Sequence, residues 1–200
     1  MDSLRDAKYL GGIGSILMLL LLAPNVGFIL YIVGLVLVAI AVKKIADAVG
    51  DSSIFNNMLI SIILVIVGGA VGAAVGFALG LASFAQIFSR VFTGEGLPTE
   101  FTEPEAFQLF WGIFIAVFAA LLVVWVFSIV SSIFLRKSYS SISKRLGAGL
   151  FATTGLLYLI GAALAIVLIG FVILLVAVIV QIVAFFTLPE QPPTPLSQTI

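Results

Sequence analysis

The sequence has no cysteine and no histidine, and it contains few charged residues of either sign. Of its 200 residues, 9% are charged and 62% are hydrophobic, whereas soluble domains average about 25% charged residues. The missing side chains exclude thiolate and imidazole metal sites, disulfides and a histidine acid or base. Since so few polar atoms cannot cover a water-facing surface, we expect the chain to lie in a lipid bilayer.

The charged residues that are present balance in number and cluster in sequence. Nine basic residues match nine acidic ones, so net charge predicts no polyanionic partner such as nucleic acid. They fall in five short segments: residues 2–8, 43–51, 90–105, 136–145 and Glu190. The intervening stretches are uncharged and therefore suited to crossing a membrane.

The first uncharged stretch, residues 9–42, is too long for one membrane span. Its 34 residues would form a helix about 51 Å long, against a hydrocarbon core of about 30 Å. Pro24 and Asn25 favour a turn within it. The pattern predicts a hairpin of two helices, at roughly residues 4–22 and 27–46. Acidic residues near Met1 and the absence of a small-residue cleavage site disfavour a signal peptide here.

The last uncharged stretch, residues 146–188, is also too long for a single span. A turn near Ile169 and Gly170 would divide it into two helices, although one span over the whole stretch stays open. Residues 26–30 (VGFIL) resemble residues 169–173 (IGFVI). This similarity indicates a weak internal repeat of the hairpin.

Two long helices, at roughly residues 54–88 and 103–135, complete an all-α transmembrane bundle of about six spans, arranged as hairpin, long pair, hairpin. With both termini cytoplasmic, eight of the nine basic residues face inside and Arg90 faces outside, as the positive-inside rule requires. A four-span alternative places at most six of them on one side. We expect a single domain over residues 1–188 and a disordered, proline-rich cytoplasmic tail over residues 189–200.

Four glycines recur every fourth residue in the first long helix: Gly68, Gly72, Gly76 and Gly80. Such a glycine zipper leaves one helix face without side chains, so another helix backbone can approach closely. The partner is either a second protein or another helix of this chain. Packing within the chain is favoured, because membrane bundles generally pack this way.

Two surfaces at the ends of the spans are candidate contact sites. On the outer side, an aromatic cap formed by Phe92, Phe101, Phe107 and Trp111 either sits at the membrane interface or docks onto a neighbour. Nearby, Thr102 and Glu105 fit a helix capping box, which accounts for the acidic residues better than catalysis does. On the inner side, the basic residues Arg136, Lys137, Lys144 and Arg145 either contact lipid headgroups or only set the topology.

Charged residues lie only near the ends of the predicted helices and none lies deep within a span, which disfavours a proton-driven pump or carrier. The deepest polar side chains, Gln86 and Gln181, are typical of interhelical hydrogen bonds. A transport path could be lined only by backbone groups and hydroxyls such as Ser61, Ser83, Thr153 and Thr154. The sequence offers no catalytic, cofactor-binding or metal-binding residues, so we do not expect an enzyme or a cofactor.

Several segments together resemble a known family. They are residues 40–47 (IAVKKIAD), 54–57 (IFNN), 155–162 (GLLYLIGA), 169–171 (IGF) and 184–189 (AFFTLP). With these, nearly the whole chain resembles the uncharacterised, largely archaeal membrane family called domain of unknown function 996. The resemblance implies an archaeal plasma-membrane protein and transfers no site residue.

The expected function is therefore non-catalytic. Surfaces suited to packing, without site residues, favour a structural or accessory subunit of a larger prokaryotic membrane complex, for example a respiratory one. Its expected partners are the bilayer and other membrane subunits or further copies of this chain. The alternative is a small transporter or channel.

Overall fold

The structure, a computed structural model, describes residues 3–93 and 103–190. Within these ranges the chain is helical and contains no strand. Its six α-helices are α1 (Ser3–Leu19), α2 (Gly27–Val49), α3 (Ser52–Phe92), α4 (Glu103–Leu146), α5 (Gly149–Leu164) and α6 (Ile169–Phe186). The predicted all-α fold and the order of hairpin, two long helices and hairpin are confirmed.

Five helical segments of the described residues are long and apolar enough to cross a membrane. They are Gly27–Val49, Ser52–Leu81, Ala106–Leu146, Gly149–Val167 and Ile169–Phe186. Helix α1 has only 17 residues, with charged side chains in its first two turns, and the 3-10 turn Leu20–Leu22 extends it. Together they cover the first predicted helix.

Helix α4 extends well beyond the predicted end at Leu135 and includes the basic, serine-rich segment up to Leu146. Tyr139, Ile142 and Leu146 are buried, while Arg136 and Lys144 are exposed. Apolar residues at intervals of three and four are the pattern of an amphipathic helix. The prediction ended the helix too early because it took charge as a break and overlooked this periodicity.

The two hairpins turn in a similar way, as the internal repeat predicts. Each has a residue with positive φ two positions before a glycine: Asn25 before Gly27, and Leu168 before Gly170. A side chain at Gly27 would collide with the carbonyl oxygen of Leu21, and one at Gly170 with that of Gly161. The glycines are therefore needed for close approach of two backbones.

Contacts divide the chain into two compact units. Unit 1 comprises Met1–Ile63 and Ile129–Ile200, and unit 2 comprises Leu64–Ser128. Unit 1 thus contains both hairpins and the adjoining ends of α3 and α4. The single domain over residues 1–188 and the tail over residues 189–200 stay predictions, and residues 191–200 lie outside the described ranges.

Helix α1 packs between α2 and α6 in unit 1. Gly14 of α1 and Gly34 of α2 lie against each other's backbone, and Gly11 lies against the Phe185 ring of α6. In the interior, the Gln181 side-chain amide donates to the Ser15 hydroxyl oxygen at 2.8 Å. Small residues and a single polar bond are typical of membrane helix packing.

Three ion pairs join charged segments that are distant in sequence. Lys8 pairs with Glu190 at 3.3 Å, Lys44 with Asp6 at 3.0 Å, and Arg145 with Asp51 at 3.2 Å. They connect the first and last charged segments, the first and second, and the second and fourth. These segments therefore lie at one end of unit 1, which agrees with the six-span topology and disagrees with the four-span alternative.

Candidate functional site

Three of the four predicted zipper glycines pack within the chain. A Cβ atom at Gly68 would collide with the Phe127 side chain of α4, one at Gly72 would lie 3.0 Å from the Ala120 carbonyl oxygen, and one at Gly76 would lie 3.0 Å from the Ala120 Cβ. Gly80 has no neighbouring atom within 4 Å of that position. The glycine stripe is thus directed at α4, and only its Gly80 end is open.

The aromatic residues of the predicted outer cap are exposed where they are described. Phe92 is 86% exposed, Phe107 65% and Trp111 42%, whereas Phe101 lies outside the described residues, as do Thr102 and the Glu105 side chain. Phe107 and Trp111 belong to a row of rings along α4 that contact one another edge to face or by stacking, which we call the aromatic ladder. It comprises Phe107, Phe110, Trp111, Phe114 and Phe118.

The aromatic ladder follows from spacing on a single helix. Ring centroids lie 5.9 Å apart for Phe107 and Trp111, 5.3 Å for Trp111 and Phe114, and 6.1 Å for Phe114 and Phe118. Side chains three and four residues apart are neighbours on a helix surface. The sequence prediction missed Phe114 and Phe118 because it grouped aromatic residues around the loop, although their spacing was the available signal.

The four predicted headgroup-contact residues fall into two environments. Arg136, Lys137 and Lys144 line a recess of about 520 Å³, which we call the basic recess. Its other lining residues are Asn57, Ile133, Ser140, Ser141 and Leu159. Arg145 instead forms the ion pair with Asp51. The residues of the recess come from α3, α4 and α5, so the sequence alone did not indicate that they meet.

Asp51 links the turn between α2 and α3 to the end of α4. Its Oδ1 accepts hydrogen bonds from the Ser53 hydroxyl at 2.6 Å and the Ser53 backbone N–H at 3.1 Å, while its Oδ2 faces Arg145. The hydrogen bonds from Ser53, together with the Arg145 guanidinium, lower the pKa of the Asp51 carboxyl. This carboxylate therefore stabilises the fold in its charged form.

Buried hydroxyls in unit 1 are bonded to neighbouring groups. The Ser61 and Ser131 hydroxyls lie 2.9 Å apart and connect α3 with α4, and Ser138 donates to the Ile54 carbonyl oxygen at 2.8 Å. Thr154 donates to the Leu150 carbonyl oxygen of its own helix. Of the other hydroxyls proposed for a transport path, that of Thr153 belongs to an exposed residue. The side chains of Ser83 and Gln86 lie outside the part of the chain that the structure describes.

Two buried tyrosine hydroxyls are exceptions. In the part of the chain that the structure describes, neither the Tyr139 nor the Tyr158 hydroxyl has a hydrogen-bond partner. The Tyr139 ring contacts the Phe151 ring edge to face, with centroids 5.5 Å apart. Tyr139 thus contributes to the core through its ring.

Comparison with known proteins identifies the family. The profile of the protein of unknown function DUF996 matches residues 30–179. The chain belongs to the DUF996 family. This agrees with the resemblance expected from the sequence, and the match extends from α2 into α6, so it includes the glycine stripe and the basic recess.

A relative of this DUF996 protein is found in an archaeon. The uncharacterized protein MJ1644 of Methanocaldococcus jannaschii is 33% identical over 189 residues, which are 94% of each chain. No solved structure matches the chain. The DUF996 protein therefore belongs to a family of unknown function and has helices long and apolar enough to span a membrane.

Proposed function

We propose that this DUF996 protein is a non-catalytic, integral subunit of a larger prokaryotic membrane complex, for example a respiratory one. In this proposal, unit 2 binds either another membrane subunit or a second copy of the chain. The observation that carries the proposal is the length of uncharged, exposed helix in α4. Residues 106–135 contain no charge, and Phe107 and Leu121 are more than half exposed.

The uncharged segment of α4 is longer than a bilayer can accommodate at ordinary tilt. Thirty residues extend about 45 Å, against a hydrocarbon core of about 30 Å. Fitting this length within the core requires a tilt of roughly 48°, beyond the 0–40° observed for transmembrane helices. A protein partner that covers the excess apolar length resolves the mismatch.

A non-catalytic role is consistent with how the buried polar groups are used. Ser61 and Ser131 bond to each other, Gln181 bonds to Ser15, and Ser138 bonds to a carbonyl oxygen. These groups stabilise helix contacts in unit 1. The same bonds disfavour the alternative of a transporter or channel, because the Ser61 and Thr154 hydroxyls already have partners.

We place the chain in the plasma membrane with both termini in the cytoplasm. The ion pairs at one end of unit 1 join segments that carry most of the basic residues. Cytoplasmic loops carry an excess of lysine and arginine, which supports this orientation.

Single-cysteine cross-linking tests the subunit proposal, and the cysteine-free sequence makes it practicable. Leu121→Cys lies on the exposed face of unit 2, and Val172→Cys, at a similarly exposed position of α6, is its matched control. A benzophenone maleimide, attached through the thiol and photoactivated in native membranes so that it inserts into C–H bonds of a bound neighbour, is expected to give a discrete adduct larger than the 21.1 kDa chain for Leu121→Cys only.

Native mass measurement after mild detergent extraction complements the cross-linking. The proposal predicts a particle of fixed stoichiometry that is heavier than one chain. A monomer in native mass measurement, with no adduct from either cysteine variant, would contradict it. Equal adducts from both variants would show random collisions and would also count against a specific interface.

A further inference from the structure

We propose that the basic recess binds the phosphate group of an anionic phospholipid. The recess is lined by three basic side chains, two hydroxyls and one amide, and by the apolar residues Ile133 and Leu159. It lies entirely within unit 1. The proposal therefore does not depend on the subunit interface assigned to unit 2.

The basic residues of the recess differ from Lys8, Lys44 and Arg145 in having no acidic partner among the described residues. Among the described residues, Lys8, Lys44 and Arg145 each form an ion pair. No described carboxylate lies within ion-pair distance of Arg136, Lys137 or Lys144. Lys137 contacts the Phe134 ring at 5.1 Å, and this contact supplies no negative charge. Three uncompensated cations around one recess favour an anionic ligand.

The recess also provides neutral hydrogen-bond donors beside the charges. Ser140 and Ser141 are partly buried and lie on the same helix as the basic residues. Asn57 of α3 also lines the recess, and its side-chain amide donates to the Ser53 carbonyl oxygen at 2.8 Å. Hydroxyl and ammonium or guanidinium donors are the groups that bind phosphate oxygens.

The apolar residues that precede the basic ones on α4 favour a lipid over a free phosphate ion as the ligand. Val130, Ile133, Lys137, Ser140 and Lys144 follow one another at intervals of three or four, so they share one face of α4. Val130 and Ile133 are both exposed. This face changes from apolar to basic along the helix. A phospholipid, which places acyl chains beside apolar residues and its phosphate beside basic ones, matches that order.

A carboxylate placed in the recess tests the proposal without removing a basic residue. Asn57→Asp keeps the side-chain size and adds a negative charge to the lining. Asn56→Asp adds the same charge at the adjacent, exposed position that does not line the recess. Native mass spectrometry of the full chain with phosphatidylglycerol should show roughly fivefold weaker binding for Asn57→Asp and little change for Asn56→Asp.

Removing the positive charge gives a larger expected effect. The triple variant Arg136→Gln, Lys137→Gln, Lys144→Gln should bind phosphatidylglycerol on the order of 100-fold more weakly, because each basic residue near an anionic surface contributes roughly a fivefold factor. The control triple variant Lys8→Gln, Lys43→Gln, Lys44→Gln has the same net charge change outside the recess. Thermal unfolding in detergent checks that each variant is folded.

The outcomes are distinguishable. Loss of phosphatidylglycerol binding in the recess variants but not in the controls supports the proposal, as does weak binding of phosphatidylcholine. Equal losses in the recess and control variants would indicate a general effect of charge and overturn it. Displacement of the lipid by millimolar inorganic phosphate would also overturn it, since the recess would then be a site for the free ion.

Discussion

Gly170 occupies a position where two backbones are in contact. A Cβ atom there would collide with the Ala165 nitrogen and the Gly161 carbonyl oxygen. Backbone atoms cannot move aside as the end of a side chain can. The strained backbone conformation of this turn lies two residues earlier, at Leu168, whose φ is 65°. The sequence pattern therefore located the turn correctly, near Ile169 and Gly170, and the positive φ falls at the preceding Leu168.

Gly170→Ala should destabilise the α5–α6 hairpin by about 2 kcal/mol or more, the cost of overpacking a closed contact. Gly149→Ala is the matched control, because nothing lies within 4 Å of a Cβ at Gly149. Thermal unfolding in detergent measures both. Similar unfolding temperatures for the two variants would contradict the backbone contact at Gly170.

Tyr139 and Ser138 are adjacent on α4, and their hydroxyls differ in hydrogen bonding. The Ser138 hydroxyl bonds to the Ile54 carbonyl oxygen, whereas the buried Tyr139 hydroxyl has no partner among the described residues. Tyr139→Phe should leave stability unchanged or raise it by up to about 1 kcal/mol, because an unpaired buried hydroxyl is costly. Ser138→Ala should lower stability by about 1 kcal/mol.

Equilibrium unfolding of both variants in one detergent checks this contrast. Both substitutions remove one hydroxyl from a fully buried residue, Ser138 facing α3 and Tyr139 facing α5. A loss of stability in Tyr139→Phe equal to that in Ser138→Ala would mean that the Tyr139 hydroxyl has a partner in solution.

At the scale of elements, Asp51 stabilises the junction of α2, α3 and α4. Its lowered pKa means that the folded state favours the carboxylate more strongly than the unfolded state does. The resulting stability is fully present above the unfolded pKa of about 3.9. It is lost as pH falls through the lower, folded pKa.

Asp51→Asn should therefore lower stability at pH 7 and reduce its dependence on pH in the acidic range. Unfolding midpoints measured between pH 7 and pH 2.5 should converge for the wild-type chain and the variant at the acidic end. Asp47→Asn, at an exposed position near the C-terminal end of α2, is the control for removal of one negative charge and should leave stability at pH 7 nearly unchanged. A constant gap between wild type and Asp51→Asn at every pH would contradict the role of the charge.

Most helices were predictable because apolar length and turn residues are local signals. Pro24 and Asn25 located the first turn, and the absence of charge over residues 146–188 located the last pair. The end of α4 was not predicted, because its polar face carries four basic residues. The spacing of Tyr139, Ile142 and Leu146 was the available signal in the sequence, and the burial of these residues shows that this face of the helix packs against its neighbours.

At the scale of the whole molecule, substitutions in the glycine stripe test whether α3 packs against α4 within unit 2. Gly68→Leu combined with Gly76→Leu should destabilise the chain by several kcal/mol, because both positions lie against α4. Gly80→Leu, where space is open, should leave thermal stability nearly unchanged. Differential scanning calorimetry of the purified chain measures its thermal stability. Native mass measurement determines how many chains each particle contains.

The two measurements separate the alternatives for the stripe. An unchanged oligomer with a destabilised chain would assign Gly68 and Gly76 to internal packing. A smaller oligomer with unchanged chain stability would instead assign them to a partner and contradict the contacts with α4. Loss of a partner in Gly80→Leu alone would place the interface at the open end of the stripe.

The sequence by itself determined the apolar, membrane-spanning character of the helices, their order and the grouping of most charged segments at one end of the hairpins. These properties depend on composition and on local periodicity, and both can be read directly from the sequence. Tertiary structure alone decided that Gly68, Gly72 and Gly76 face α4, and that Arg145 pairs with Asp51. It also brought Asn57, Arg136 and Leu159 into one recess. The physical reason is that contacts between helices depend on how each helix is rotated, and packing, not local sequence, sets that rotation.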